Sequence, residues 1–341
     1  MKNHEPAEIS YLNTIIKKYL ELINSYYPNI RFSNSSSGGE DARSCYLELG
    51  FNADCIKGTS LEVKEKTNLI HYTSSVKNII EILNGGFLRI NNLLNVNDPQ
   101  EINFIIKKAN IEKFEPYIEE LKSTLFSASF CEVIDDNQPD TFAMWRLYGN
   151  DGMGCGIVFE IENYGYDWQN YILSQVQYGD SQSFNKFNEL IRSHYGFQEE
   201  NDFPILNTPV TLTALTALYK NYIWADEKEI RLLTHQTFNE YSLDNDSNHF
   251  SELKHSITNN NKMCSYVELL LYGSQEYQRI EKSGRLETLM RLLPILKVKE
   301  IILGYRIDYT SCAAIASVVN HISRKYGYSI SVRQSHIKEY M

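Results

Sequence analysis

Leu69-Ile-His-Tyr-Thr-Ser74 and Trp224-Ala-Asp-Glu-Lys-Glu-Ile-Arg-Leu232 are the stretches around which the chain is organised. The first offers a histidine and a tyrosine where a short β-prone run breaks into a turn. The second reads as a strand, with Glu227, Glu229 and Arg231 on one face and Lys228, Ile230 and Leu232 on the other. Two carboxylates about 7 Å apart beside an arginine suit a polar cleft better than a core. Neighbouring carboxylates push their pKa values apart, and the arginine holds one of them ionised. Such a pair can steady a cationic transition state and orient a nucleophile. It can equally form a cross-strand salt bridge on a solvated face. The two stretches share a site only if the chain between them folds back.

That intervening chain carries further polar candidates. Leu125-Phe-Ser-Ala-Ser-Phe130 alternates at period two, so Ser127 and Ser129 project to one face and Phe126, Ala128 and Phe130 to the other. Residues 142–148 read as one or two helical turns, followed by a glycine-rich turn over 149–156 and a strand over 156–161. Because those glycines lead into a strand and not a helix N-terminus, they do not form a phosphate-cradling loop. Trp145 and Tyr148 read as core anchors, with stacking on a base or ring as the alternative. His71 reads either as a structural histidine bonded to a carbonyl or as a donor to a sugar hydroxyl through its second ring nitrogen.

Taken in order, residues 6–27 have helical spacing, and Pro28 and the serine-rich residues 33–39 predict a loop or linker. Residues 1–60 are expected to be an N-terminal helical extension with a flexible loop, and 61–341 an α+β domain. A strand is expected near residues 45–51. Ser74 or Ser75 caps a helix over 76–83, Gly85-Gly86 end it, and 87–90 form a return strand. Pro99 is placed to start a helical pattern over 99–122, interrupted near Asn110 or Pro116. Residues 132–140 form an acidic loop, 175–178 a short strand, and 184–223 are largely helical apart from a break around 201–209. A polar loop covers 239–251. Residues 262–290 are ambiguous, with helix favoured. The chain closes with a strand at 298–303, a helix at 311–326 and a strand at 328–332. Short strands with irregular helix placement make the fold class α+β.

Bulk composition narrows the function. The chain has 341 residues, of which 43% are hydrophobic, as expected of a folded globular protein. No apolar run approaches the ~20 residues of a membrane span, and the amino terminus lacks the apolar stretch of a secretory signal. Six scattered cysteines form no CxxC pair, which points to reduced thiols and a cytoplasmic location. The histidines show no HxH or HExxH spacing, so no metal site is expected. A formal charge of −10 argues against a long nucleic-acid groove, although a small basic patch for one nucleotide stays compatible with it.

In order, His71-Tyr-Thr-Ser, a helix ending in Gly-Gly, Phe87-Leu-Arg-Ile, Asn97-Asp-Pro-Gln-Glu101, Phe126-Ser-Ala-Ser-Phe, Met144-Trp-Arg-Leu-Tyr-Gly149, Glu227-Lys-Glu-Ile-Arg and Ile301-Ile-Leu-Gly304 form a set. Over roughly residues 68–305 it resembles the bacterial domain-of-unknown-function family numbered 2971. More distantly, His71-Tyr-Thr with its following helix and Gly-Gly-Phe-Leu turn looks like the opening of histidine-type ADP-ribosyltransferases. Glu227-Lys-Glu229 is similar to the Glu-x-Glu element of the arginine-modifying branch. Ser-Ala-Ser stands where that family usually has Ser-Thr-Ser. The resemblance implies a split mixed or antiparallel sheet gripping NAD, the substrate. His71 would hold a ribose hydroxyl, Tyr72 would lie near the nicotinamide, and Ser127 or Ser129 would support the site; the residues' own chemistry adds Arg231, beside the carboxylates, and Trp145, by stacking, to the cofactor-binding set. Glu229 would stabilise the oxocarbenium-like transition state and Glu227 help activate the acceptor. The expected activity is that of an ADP-ribosyltransferase-like enzyme or NAD-cleaving relative that cleaves the nicotinamide N-glycosidic bond of NAD, with a protein or nucleic-acid acceptor, as a toxin or anti-phage defence effector. A homo-oligomer or a defence-system partner is expected, and no membrane. The competing expectation is a non-catalytic protein of a defence system that senses a ligand or partner through the same cleft. A hydrolase using Glu227 and Glu229 is a third.

Overall fold

The computed structural model describes residues 5–29, 32–37, 45–49, 53–64, 66–95, 101–110, 122–133, 140–166, 168, 171–179, 181–201, 205–206, 212, 214–235, 253–257 and 261–337. The expected start of a helix at Pro99, most of the acidic loop and the polar loop at 239–251 lie outside them.

The core is a ten-stranded mixed sheet built from β3 (Leu69–Thr73), β4 (Phe87–Asn92), β5 (Leu125–Glu132), β6 (Cys155–Ile161), β7 (Tyr171–Gln175), β11 (Glu229–His235), β12 (Lys254–Ile257), β13 (Met263–Leu270), β14 (Leu296–Leu303) and β15 (Ser331–Gln334). Most pairs are antiparallel, and β14–β15 is parallel. The mixed α+β class is therefore as expected. Short pairs stand apart: β1 (Phe32–Ser37) against β2 (Cys45–Leu49), with β9 (Ile205–Leu206), and β8 (Gln177–Tyr178) against β10 (Tyr219–Lys220).

β5 organises the sheet. Along one edge it pairs with β11 over its length, from Leu125↔His235 to Cys131↔Glu229. The other edge is shared: β4 pairs at Phe126 and Ser127, and β3 pairs at Cys131 and Glu132. Between those contacts β3 and β4 diverge, and the sheet opens beside residues 128–130.

Helices α1 (Glu5–Tyr26), α2 (Val76–Gly85), α3 (Glu101–Ala109), α4 (Phe142–Leu147), α5 (Gln182–Asn201), α6 (Gln275–Lys282), α7 (Leu286–Leu292) and α8 (Tyr309–Tyr326) flank the sheet. One face packs against α2, α6, α7 and α8 through Ile79, Leu83, Ile280, Leu289, Val319 and Ile322, meeting Phe126, Ala128, Phe130, Ile230 and Leu232 from the strands. The opposite face is covered in two places. At one end α1, α3 and α5 pack over Leu125, Ile172 and Leu233. At the other, Met144 and Trp145 of α4 pack on Ile70, Tyr72 and Val158. Ser127, Ser129 and Arg231 project between these two clusters. No helix among the described residues is long and apolar enough to cross a membrane.

Local chemistry explains the elements. Ser75 accepts from Lys77 N to cap α2, and Gly86 ends it in the left-handed region (φ 76), closing on Ile82 O. α3 stops where Asn110 turns left-handed (φ 55). The glycine-rich turn is a packing device: a Cβ on Gly154 would lie 2.2 Å from Thr73 O, and Gly304 N donates to Gly154 O at 3.0 Å.

Three expectations are corrected. Residues 263–270 are a strand, β13, and not helix. Paired on both sides, and with Val267, Leu269 and Leu270 fully buried, the run lacks a clean period of two. The serine-rich stretch at 33–37, read as linker, is strand β1 on β2. The strand expected from residue 224 begins only at Glu229, because 222–227 form a 3-10 turn and Lys228 is left-handed (φ 44).

Candidate functional site: a cleft in the divided sheet

A cavity of about 300 Å³ occupies the opening, lined by Ile70, His71, Tyr72, Arg89, Asn91, Met144, Tyr148, Lys220, Trp224, Glu227, Glu229, Arg231 and residues 127–131. That is the lower end of the range for small-molecule sites.

Register sets the floor. In antiparallel pairs, directly opposed residues share a face. Ser129 opposes Arg231 and Cys131 opposes Glu229, which puts the hydroxyls, the thiol, the guanidinium and a carboxylate on the cleft side. Glu227 arrives differently: the left-handed Lys228 turns the chain so that the carboxylate before the turn lies beside the one after it. Lys220, delivered by β10, sits between them. Its Nζ is 2.9 Å from Glu227 Oε2 and 2.6 Å from Glu229 Oε2.

Arg231 completes the cluster. Its Nε donates to Glu229 Oε1 at 2.8 Å and its Nη2 to Glu229 Oε2 at 2.9 Å, while Nη1 donates to Ala217 O. Tyr148 donates its hydroxyl to Glu227 Oε1, and Glu229 N donates to Tyr178 OH at 2.9 Å. Lys220, Glu227, Glu229 and Arg231 are all buried, Arg231 to 1% exposure. Burial alone would raise the Glu229 pKa, but Arg231 and then Lys220 outweigh it and hold the carboxyl well below its usual range. Burial, then the Glu227 hydrogen bond, raises the Tyr148 phenol, so it stays a donor. Burial, with Glu229 and Glu227 next, pushes the Cys131 thiol up to about 12. Cys131 therefore carries no thiolate near neutral pH and is not a nucleophile as it stands.

His71 stands in the opening itself. Its Nδ1 lies 2.9 Å from Ser129 O, the stretch of β5 that neither β3 nor β4 pairs, and its ring meets Phe130 edge-on. A carbonyl only accepts, so Nδ1 carries the proton. Burial lowers the His71 pKa, with the Ser129 bond opposing it, and the neutral ring leaves Nε2 bare. His71 is thus an acceptor for a ligand hydroxyl, where the sequence reading made it a donor. We expect 15N NMR at pH 7 to show Nε2 in the range of an unprotonated imidazole nitrogen. An imidazolium signature would remove that role.

The structure brings together Glu227, Glu229, Arg231, His71, Tyr72, Ser127 and Ser129 from the sequence-derived set. Trp145 does not reach the cleft: it is fully buried, donates Nε1 to Asp140 Oδ2 at 2.7 Å, and supports Tyr72 edge-on with ring centroids 5.2 Å apart. The Tyr72 hydroxyl accepts from Thr141 N at 3.3 Å. Sequence reasoning missed Lys220, Tyr178 and Arg89. Lys220 had one faint signal, a single cation ending the largely apolar run Leu212-Thr-Ala-Leu-Thr-Ala-Leu-Tyr219. Among the described residues, no group of three or more His, Cys, Asp or Glu is placed to hold a metal ion.

No curated protein and no solved structure matches the chain. The resemblance over roughly 68–305 is narrower by family model: residues 144–232, the span that supplies Tyr148, Lys220, Glu227, Glu229 and Arg231, match a family described as protein of unknown function (DUF2971).

Proposed function

We propose that the cleft binds NAD and cleaves its nicotinamide N-glycosidic bond, making this an ADP-ribosyltransferase-like enzyme. The observation that supports the reading most is the meeting, across one opening in the sheet, of a hydroxyl acceptor (His71 Nε2), two serines and a buried carboxylate pair. Cleaving the bond leaves positive charge on the ribose and releases neutral nicotinamide. A fixed carboxylate offsets that charge without transferring a proton. Glu229 is shared by two cations, whereas Glu227 meets, among the described residues, only Lys220 and the neutral Tyr148. Glu227 therefore has more uncompensated charge to present to the ribose. Glu229 holds Lys220 and Arg231 in register behind it. This exchanges the roles that the resemblance implies for the two carboxylates. The acceptor is a macromolecule, and water takes its place in a purely hydrolytic cycle.

One observation favours the competing reading, a non-catalytic ligand sensor. Two anions and two cations in the wall leave little net field at the sugar. Nicotinamide release from labelled NAD separates the two. The enzyme reading expects release by the native protein with cell extract present. It expects a loss of at least about 100-fold in Glu227→Gln, the order of one electrostatic stabiliser, and a smaller loss in Glu229→Gln. NAD binding without release supports the sensor, and absence of NAD binding sinks both.

A further inference from the structure

The charge inventory of the cleft points to a second recognition element on its opposite wall. Lys220 and Arg231 are committed to Glu227 and Glu229. Among the described lining residues, Arg89 alone is a cation with no carboxylate within ion-pair distance. Glu268 directly opposes it on β13, but its Oε2 takes Lys254 Nζ at 2.6 Å. Arg89 is exposed on β4, and its guanidinium lies over the Tyr266 ring, 4.6 Å from the centroid. The ring contact anchors the exposed group, whose N–H donors can then meet an oxyanion in bidentate fashion.

Position gives the group meaning. β4 flanks the opening on the side away from β11, and Arg89 lies past the last β4–β5 pair, so it and the carboxylates stand on opposite walls, further apart at the backbone than two strand spacings of roughly 10 Å. His71 and the serines lie between. The cleft is therefore polarised: acidic at the glycosidic end, hydroxyl-seeking in the middle, cationic at the far end. We propose that Arg89 is a specificity-determining residue that takes the phosphate of a 5′-phosphorylated ribonucleoside, the pyrophosphate in the case of NAD. This rests on the NAD reading of the cleft, and it selects nucleotides over nucleosides.

The test titrates NAD, nicotinamide riboside and inorganic pyrophosphate into the full chain and into Arg89→Ala and Arg89→Lys. The riboside keeps the glycosidic bond and lacks the phosphates. Losing a charge-assisted contact should weaken NAD binding in Arg89→Ala on the order of 10- to 100-fold. Riboside binding should be unchanged, pyrophosphate uptake lost, and Arg89→Lys intermediate. Should Arg89→Ala bind NAD and pyrophosphate as the native chain does, the inference fails and the NAD reading survives. Equal loss of the riboside would also overturn it, by showing a merely structural role. Arg89-dependent pyrophosphate uptake without NAD binding would support the anion subsite and remove the NAD reading. A native chain that takes up none of the three probes overturns both.

Discussion

Replacing Arg231 with leucine is expected to destabilise the fold by about 3–5 kcal/mol, read as a lower urea midpoint at pH 7 with an unchanged slope. Arg231 is 1% exposed and binds both oxygens of Glu229. Without it, Glu227 and Glu229 are left buried with one shared ammonium, Lys220 Nζ, and Ala217 O loses a donor. Desolvating a carboxylate is tolerable only while its partners remain, so the cost comes from the stranded charge more than from the lost attraction. The double substitution Arg231→Leu with Glu229→Leu should accordingly recover much of the loss, because Lys220 and Glu227 are then left as a matched pair. A double-mutant cycle should give a coupling of at least about 2 kcal/mol, the upper part of the range for contacting residues. A single variant as stable as the native protein, or a double variant no better than the sum of its parts, would show that the cluster is hydrated. A hydrated cluster could not present an unscreened carboxylate to a ribose, so this stability measurement also bears on the chemistry.

The same cluster shows where the sequence was legible. β5 and the second half of the Glu-x-Glu-x-Arg stretch were readable because each has one apolar face and one polar face: Phe126, Ala128, Phe130, Ile230 and Leu232 enter the core, and Ser127, Ser129, Glu229 and Arg231 enter the cleft. Glu227 came out on the correct side for the wrong reason. Period two carried it back into a strand that the left-handed Lys228 ends, and the turn then restores the carboxylate to its neighbour's side. Lys220 was not legible, since only the pairing of β10 with β8 brings it between the carboxylates. Arg89 was hidden similarly, as its neighbour Tyr266 is contributed by β13, a strand whose burial on both sides made it read as helix. Trp145 was legible as a core anchor and not as a ligand residue. Partners that approach through tertiary pairing leave no period to read.

Stability is expected to fall as pH drops below about 6.5, well above the range in which Glu229 gains a proton. Burial lowers His194 to about 3 and His235 to about 4, and it lowers His71 as well. His194 sits between α1 and α5 with Nδ1 2.7 Å from Tyr19 OH and with Nε2 buried without a partner among the described residues. A proton on that ring buries a positive charge and makes Nε2 an N–H donor with no partner among the described residues. Below the unfolded pKa the unfolded chain binds protons that the native chain refuses. Each such histidine then removes about 1.4 kcal/mol per pH unit until the folded pKa is reached. From pH 6.5 to pH 5, His194 alone should take away about 2 kcal/mol, with His235 adding a comparable amount. Glu229 acts the same way, because its lowered pKa favours the folded chain only while the carboxylate is charged in both states, but its contribution is lost only below about 4.3. Urea titrations at pH 7.5, 6.0 and 5.0 therefore read the histidine window alone, and one at about pH 3.5 adds the Glu229 window. In His194→Phe the ring volume is retained and the titration is removed. Losing the Tyr19 bond should cost about 0.5–1.5 kcal/mol at pH 7.5, while the acid limb flattens by about 1.4 kcal/mol per unit. An acid limb of unchanged slope in that variant would mean that the proton is taken up elsewhere and that the α1–α5 contact opens before His194 titrates.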